Sequence, residues 1–316
     1  MQPKGTKAAA ELQGIGAGTR RGASWSGRTN PLLVSVPLAK AEGTTLTREE
    51  VVRFPGEGRE VEAVLTIPEA RQPLPAVVIV HEIWGLSPHI RDVAGRLARR
   101  GYVALAPDLY TGELREAMKP ENIGAGMQLL RQAPPEVQRD PSKLGPLLAE
   151  RTPAEQEAVR TLVRVMSPRQ QRDFAGDLLG STRYLRRRSE VDGSRVAAVG
   201  FCMGGGLVAL LATLDSELRA AVVFYGANPP LEDVPKIRAS VLGLYGGEDH
   251  RVTDTVPELE DAMRKAGGRF EQHVYPGAMH AFFNDTRPQV YHQASAQDAW
   301  ERLTDFLDRE LNVSSK

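Results

Sequence analysis

The stretch that most constrains the fold of this chain runs from Arg195 to Ala212. An apolar, β-branched run there meets Gly200-Phe-Cys-Met-Gly204 and then a second apolar run of helical character. The pattern predicts a strand, a sharp turn and a helix, with glycines where the turn is tight and its central residue strained. Cys202 would lie at a helix N-terminus, where unpaired N–H groups carry partial positive charge and favour a thiolate. A buried cysteine at a closely packed strand–helix junction is the alternative.

The composition is that of a globular protein with a substantial core. The 316 residues are 41% hydrophobic, enough for one large α/β domain or two modest ones. Forty basic and forty acidic residues balance, so the charge does not indicate nucleic acid or an anionic membrane as a partner. No membrane helix is expected, because the chain has no run of about 18 apolar residues. A single cysteine excludes an intramolecular disulfide and a cysteine-cluster metal site, and it favours a cytoplasmic location; we expect no metal and no cofactor.

Alternating strand-like and helix-like segments predict the fold class. Residues 1–44 are rich in Gly, Ala, Ser and Arg, which indicates a flexible N-terminal tail before a domain over 45–316. Period-two alternation over 46–67 predicts a β-hairpin at a sheet edge. Continuous apolar runs then alternate with amphipathic segments, as in strands covered on both faces. This order predicts an α/β fold with a mostly parallel, doubly wound sheet flanked by helices.

Residues 111–170 interrupt this alternation. They contain many prolines and short amphipathic pieces, without a strand signal. A long excursion inside a compact fold is usually functional or disordered. We interpret it as a helical, cap-like insertion that forms a lid over the active-site edge. A solvated surface insertion without a catalytic role is the alternative.

Two later loops hold residues that would complete a catalytic triad with Cys202. Asp249 and His280 each follow a predicted strand, and an elbow nucleophile takes its acid and its histidine later in the chain, in that order. The carboxyl ends of parallel strands meet at one edge of a sheet, so we expect the three side chains to lie together. Glu248 is an alternative to Asp249. The other histidines are less suitably placed: His81, His89, His250, His273 and His292.

Five motifs occur in a characteristic order: His81-Glu-Ile-Trp-Gly85, Ala106-Pro-Asp-Leu-Tyr110, Gly200-Phe-Cys-Met-Gly-Gly205, Gly246-Gly-Glu-Asp249 and His280-Ala-Phe-Phe-Asn284. Together they resemble the dienelactone hydrolase family of α/β hydrolases, over roughly residues 46–312. The resemblance implies an α/β-hydrolase fold and a Cys-His-Asp triad. It also implies hydrolysis of a small ester or lactone, a carboxymethylenebutenolidase-like or carboxylesterase-like activity, through a thioester on Cys202.

The loop after the strand at 75–80 supplies further expected site residues. Glu82 matches an extra carboxylate of the family, which the resemblance implies contacts the resting thiol and helps to generate the thiolate. Partial burial would raise the pKa of this carboxyl and make it a proton acceptor; the alternative is that Glu82 only holds the loop by hydrogen bonds. The backbone N–H groups of Ile83 and Met203 are the expected oxyanion hole.

The substrate contacts are expected from Arg287, Tyr110 and Trp84. The resemblance implies that Arg287 binds a substrate carboxylate; a surface salt bridge to Asp285 is the alternative. Tyr110 would line the pocket or belong to the core. The expected partner is a small ester or lactone, with the chain a monomer or homodimer. Other hypotheses are an esterase of neutral esters, an acyltransferase resembling polyhydroxyalkanoate synthases, and a ligand-binding protein without catalysis.

Overall fold

A single mixed sheet is the framework of the molecule. The computed structural model describes residues 46–134, Val137 and residues 143–312, and the tail expected over 1–44 lies outside them. The strands are β1 (Thr47–Pro55), β2 (Glu60–Pro68), β3 (Leu74–Val80), β4 (Val103–Asp108), β5 (Val191–Phe201), β6 (Ala220–Phe224), β7 (Ser240–Gly246) and β8 (Phe270–Tyr275). Their order is β1-β2-β4-β3-β5-β6-β7-β8. β2 pairs antiparallel with β1 and β4, and the other neighbours are parallel. The predicted edge hairpin and mostly parallel sheet are confirmed.

Helices cover both faces of this sheet. They are α1 (Pro88–Arg99), α2 (Leu114–Ala117), α3 (Pro120–Gln132), α4 (Leu144–Ala149), α5 (Pro153–Val165), α6 (Pro168–Arg186), α7 (Met203–Leu214), α8 (His250–Thr253), α9 (Val256–Lys265) and α10 (Gln293–Glu310), with a 3-10 helix at Leu231–Lys236. Apolar residues of α1 and α10 pack in one core cluster, and those of α6, α7 and α9 in another. In the part of the chain described, no helix combines the length and apolarity needed to cross a membrane.

β3 shows why the central strands are apolar throughout. Val77 and Ile79 belong to the core on the α1 and α10 side, whereas Val78 and Val80 belong to the core on the α6 and α7 side. All four are completely buried. A strand with helices on both faces has no solvated side, so a polar residue at any of these positions would lose its contact with water.

The insertion over 111–170 is helical and shares the core of the sheet. Ile123 of α3 and Leu162 of α5 are buried within the cluster that contains the sheet residues, while Leu129, Leu144 and Val159 form a smaller cluster of their own. The apolar spacing of Phe174, Leu178 and Leu185 predicts a helix from Asp173 to Arg187, but α6 begins five residues earlier, at Pro168. Its N-cap is Ser167, whose Oγ accepts a hydrogen bond from the Gln170 N–H at 3.3 Å. The first turn of α6 carries no apolar stripe, which is why periodicity placed the helix start too late.

Candidate active site

Cys202 occupies a strained turn between β5 and α7. Its backbone has φ 56° and ψ −116°, a conformation that non-glycine residues rarely adopt. Close packing on both sides holds it there, because a Cβ at Gly200 would collide with the Gly204 carbonyl and one at Gly204 with the Val80 carbonyl. The turn therefore directs the thiol to the carboxyl edge of the sheet, next to the free N–H groups of the first turn of α7.

His280 and Asp249 meet at that same edge. Nδ1 of His280 lies 2.5 Å from Oδ2 of Asp249, and Asp249 is only 8% exposed. Glu248 is exposed, and its backbone N–H donates to the Ala278 carbonyl at 2.9 Å. The structure thus brings Asp249 to the histidine and leaves Glu248 in solvent. His250, also exposed, pairs with Asp254 at 3.3 Å.

Cys202 is the other side chain that interacts with His280. With Nδ1 occupied by Asp249, Nε2 is the ring nitrogen that remains for the interaction with the thiol. Burial alone would lower the pKa of His280, but the hydrogen bonds to Asp249 and to Cys202, together with the negative charge on both, raise that pKa to about 10. The imidazolium form of His280 is therefore favoured at neutral pH, so that this residue can donate a proton as well as a hydrogen bond.

Glu82 lies beneath this pair, 2% exposed. Its Oε2 accepts a hydrogen bond from Nδ2 of Asn284 at 2.6 Å, whereas its Oε1 is buried without a partner among the described residues. Burial raises the pKa of Glu82, and the Asn284 hydrogen bond and the nearby charges of Arg287 and His280 oppose that rise. Glu82 is thus a buried carboxyl near His280, with one oxygen that makes no hydrogen bond of standard geometry among the described residues.

Tyr225 and Asn284 belong to the site although no role for them was predicted. Tyr225 follows β6 with φ 40°, and its ring centroid lies 5.1 Å from that of His280. No hydrogen bond of standard geometry reaches its buried hydroxyl in the described chain, but the hydroxyl lies close to Glu82. Burial first, then the charges of Glu82 and Cys202, and last a weak hydrogen-bonding contact with Glu82 raise the pKa of Tyr225, while Arg287 opposes the rise. Only their positions in the sequence could have indicated that they belong to the site. Tyr225 directly follows a parallel strand, and Asn284 is the last residue of the motif that begins at His280.

The loop that carries Ile83 is tied to the loop after β4. The Tyr110 hydroxyl donates to the Ile83 carbonyl at 2.8 Å, and the Leu109 N–H donates to Nε2 of His81 at 3.2 Å. Because Nε2 accepts, Nδ1 carries the proton and donates to the Glu82 carbonyl at 2.6 Å. Burial lowers the pKa of His81, which keeps it neutral and able to accept. Ile83 follows the end of β3 and Met203 begins α7 directly after Cys202, so both residues lie at the carboxyl edge of the sheet.

The three residues expected to bind substrate differ in exposure. Arg287 is half-buried, and its guanidinium carbon lies 5.8 Å from the centre of the Trp84 ring. The alternative salt bridge is not formed: Asp285 lies 3.6 Å from Nδ1 of His89, and Arg287 has no ion pair within the described residues. Tyr110, 3% exposed, joins Trp84 in lining a cavity of about 340 Å³ that the insertion borders at 118–120. The lining of this cavity does not include Cys202, His280 or Arg287, so the cavity lies beside the expected catalytic residues and does not contain them.

Metal ligands are not grouped in the described ranges. Over 46–134 and 143–312, no three His, Cys, Asp or Glu side chains could together hold a metal ion.

Comparisons with known proteins place these features in one family. The model of the dienelactone hydrolase family matches residues 61–311. Two curated relatives are named "Putative carboxymethylenebutenolidase". One, from Saccharolobus solfataricus, is 37% identical over 83% of this chain and 98% of its own length; the other, from Escherichia coli K12, is 32% identical over 80% and 84%. A solved structure from Klebsiella pneumoniae, named "Putative Dienelactone Hydrolase", is 30% identical with a TM-score of 0.62, covering 85% of this chain and 99% of that one. The expected α/β-hydrolase fold is confirmed.

Proposed function

Because the chain belongs to the dienelactone hydrolase family, and is thereby a hydrolase acting on ester bonds, we propose that it cleaves small esters or lactones with Cys202 as nucleophile. The observation that supports this proposal is the contact of His280 Nδ1 with Asp249, which leaves the other ring nitrogen available to Cys202 at the same edge of the sheet. A nucleophile, a base and a group that orients the base are the three parts that covalent acyl transfer requires.

In the acylation step the Cys202 thiolate attacks the carbonyl carbon, and a C–S bond forms as the carbonyl π-electrons move to oxygen. The oxyanion receives hydrogen bonds from the N–H groups of Ile83 and Met203. When the tetrahedral intermediate collapses, the ester C–O bond breaks, and the imidazolium of His280 gives its proton to the departing oxygen. A neutral His280 and a thioester on Cys202 result.

In the deacylation step a water molecule replaces the alcohol. Neutral His280 accepts a proton from this water as its oxygen attacks the thioester carbonyl. The second tetrahedral intermediate uses the same oxyanion hole and collapses with breakage of the C–S bond. The carboxylic acid leaves, and the thiolate–imidazolium pair is restored. Removal of one oxyanion donor typically costs about 2.7–4 kcal/mol of transition-state stabilisation.

Glu82 is proposed to hold the thiol proton when the thiolate forms. Its Oε1 has no partner among the described residues, and burial raises its pKa, so the carboxylate is a better base than an exposed one. Asn284 fixes the other oxygen and so orients the carboxyl group. In Glu82→Gln the amide keeps the loop contact without the proton acceptor, which separates this role from the purely structural alternative.

Arg287 is proposed to bind an acidic group of the substrate. It is half-buried, has no ion pair within the described chain and lies beside the Trp84 ring. A cation without a partner at the edge of a largely buried site suits a carboxylate on the acyl portion. The insertion over 111–170 is proposed to form a lid at the active-site edge, since its 118–120 segment borders a cavity next to Trp84, which lies on the same loop as Glu82 and Ile83. We propose a small ester or lactone as the sole partner of a cytoplasmic monomer or homodimer that needs no cofactor.

The test compares hydrolysis of p-nitrophenyl acetate, p-nitrophenyl butyrate and a dienelactone by the wild type and by Cys202→Ala. We expect the variant to lose all hydrolysis above background and the wild type to form a thioester that mass spectrometry detects on Cys202. Arg287→Met should lower the rate with the acidic lactone far more than the rate with the neutral esters. Hydrolysis that survives in Cys202→Ala would refute the proposal; equal losses for lactone and neutral ester in Arg287→Met would favour a general carboxylesterase.

A further inference from the structure

Arg59, which lies outside the expected triad, donates hydrogen bonds to the loop after β4 on both sides of Tyr110. Arg59 lies in the turn before β2, and its Nη1 donates to the Thr111 carbonyl at 2.7 Å. Its Nη2 donates to the Leu109 carbonyl at 2.9 Å. These two carbonyls belong to the residues directly before and after Tyr110. One guanidinium therefore fixes the backbone on each side of that tyrosine.

The arginine is itself held by a buried carboxylate. Nε of Arg59 donates to Oδ2 of Asp177 at 3.1 Å, and Nη2 contacts the same oxygen. Asp177 lies on α6 and is completely buried, and its Oδ1 accepts from the Glu57 N–H at 2.9 Å. The planar guanidinium has five donors, so it can bind a carboxylate and two carbonyls at once. A lysine could not make the same set of contacts.

The loop around Tyr110 is hydrogen-bonded to the loop that carries Ile83, one of the two proposed oxyanion donors. The Tyr110 hydroxyl donates to the Ile83 carbonyl, and the Leu109 N–H donates to His81, which in turn donates to the Glu82 carbonyl. Both paths end on the peptide groups next to the Ile83 N–H. A displacement of the Tyr110 loop would therefore displace a donor whose distance to the oxyanion sets its effect.

We propose that Arg59 and Asp177 are positioning residues for the oxyanion hole, acting through Tyr110 and His81 on the backbone N–H of Ile83. The inference rests on the proposed function, since it concerns the stabilisation of an oxyanion during ester cleavage. Neither residue touches the substrate. Misplacement of a catalytic group by about 1 Å can lower a rate about 100-fold, which sets the scale of the expected effect.

A second buried pair on the same helix supplies a matched control. Nη1 of Arg186 lies 3.0 Å from Oδ2 of Asp215, and the two side chains are 13% and 3% exposed. Arg186 is in α6, as is Asp177, but Asp215 follows α7 at the end away from Cys202. Arg186→Met and Arg59→Met each leave a buried aspartate without its arginine. Both should lower stability, whereas only Arg59→Met should loosen the Tyr110 loop.

The experiment measures kcat and KM for p-nitrophenyl acetate, the alkylation rate of Cys202 by iodoacetamide, and unfolding by urea. Alkylation is displacement at a saturated carbon and forms no oxyanion, so it reports the thiolate without the oxyanion hole. For Arg59→Met we expect kcat to fall by about 10- to 100-fold with little change in KM, and an unchanged alkylation rate. Arg186→Met should keep both rates within about twofold of the wild type.

If Arg59→Met does not fold, Arg59→Lys provides the test. Lysine retains the charge opposite Asp177 but cannot donate to both carbonyls, so we expect a recovered unfolding midpoint with kcat still reduced. Full recovery of kcat in this variant would overturn the inference, as would equal kcat values for Arg59→Met and Arg186→Met. If Cys202→Ala, measured alongside, still hydrolyses the ester, the proposed function fails and the inference with it. If Cys202→Ala loses activity but the Arg59 variants keep the wild-type kcat, only the positioning role is refuted.

Discussion

Burial sets the chemistry of the individual side chains at this site. Asp249 and Glu82 are both largely buried carboxyls, but Asp249 is paired with His280, whereas one oxygen of Glu82 has no partner among the described residues. Asp249 is held against the imidazole of His280, while burial raises the pKa of Glu82. Two carboxyl groups with such different surroundings are suited to different tasks, one as orienting group and one as proton acceptor.

The raised pKa of His280 predicts a pH dependence of stability. The pKa increases from 6.5 to about 10 in the folded chain, so protonated His280 stabilises the folded state. This contribution is complete below the unfolded value, and it is lost as the pH rises through the folded value. Urea unfolding should show the largest difference in the free energy of unfolding between the wild type and His280→Gln near pH 6. This difference should decrease progressively towards pH 10. A pH-independent difference would contradict the assignment. His250→Gln, which alters an exposed histidine, should reproduce the wild-type profile.

At the level of elements, the junction of β5 and α7 depends on how closely two backbones approach. The N-terminus of α7 packs on the end of β3, and no side chain separates them at Gly204. This proximity brings the start of α7, to which Met203 belongs, against the residues at the beginning of the loop that carries Ile83. The two expected oxyanion donors thus share one cause, the tight contact of a helix start with a strand end.

Gly204→Ala should disrupt that junction. Its Cβ would collide with the carbonyl oxygens of Val80 and His81, which are backbone atoms that cannot move aside easily. We expect a loss of at least about 1–3 kcal/mol in the free energy of unfolding, accompanied by loss of esterase activity. Gly206→Ala is the matched control in the same helix, because its Cβ would lie 3.4 Å from the Ala227 nitrogen, an ordinary contact. Similar unfolding midpoints for the two variants would refute this packing argument.

At the scale of the whole molecule, the insertion and the sheet have a common core. Ile123, Leu162 and Val165 of the insertion are buried in the cluster that contains β3 and β5 residues. An insertion anchored in this way cannot open as a rigid cap without exposing apolar surface to water. Movement at the entrance would then be confined to the segments near the cavity.

Leu162→Ala tests this shared core. Leu162 is 2% exposed, so its truncation should cost about 2–5 kcal/mol of unfolding free energy. If the domain unfolds as one unit, far-UV circular dichroism and tryptophan fluorescence, to which Trp84 and Trp300 contribute, should show the same lowered midpoint. Divergent midpoints would mean that the insertion unfolds separately. Met166→Ala, one turn further on and 52% exposed, should change the stability by no more than about 0.5 kcal/mol.

The sequence was sufficient wherever one local signal decides the structure. Continuous apolar runs predicted the buried strands, because a strand between two helical layers must be apolar on both faces. The glycines around Cys202 predicted the elbow, because only glycine fits where backbones nearly touch. The start of α6 and the roles of Asn284 and Tyr225 were missed, since polar first turns and single polar residues carry no periodic signal.

What the sequence determined by itself is therefore the kind of fold, the order of the expected triad and the family. Each of these depends on residues near one another in the chain or on the order of motifs along it. Only the tertiary structure decided that Asp249 and not Glu248 meets His280, that Glu82 keeps a free buried oxygen, and that Arg59 reaches the loop around Tyr110. Those facts depend on distances between segments far apart in the chain, and they exist only once packing has closed the sheet and its two helical layers.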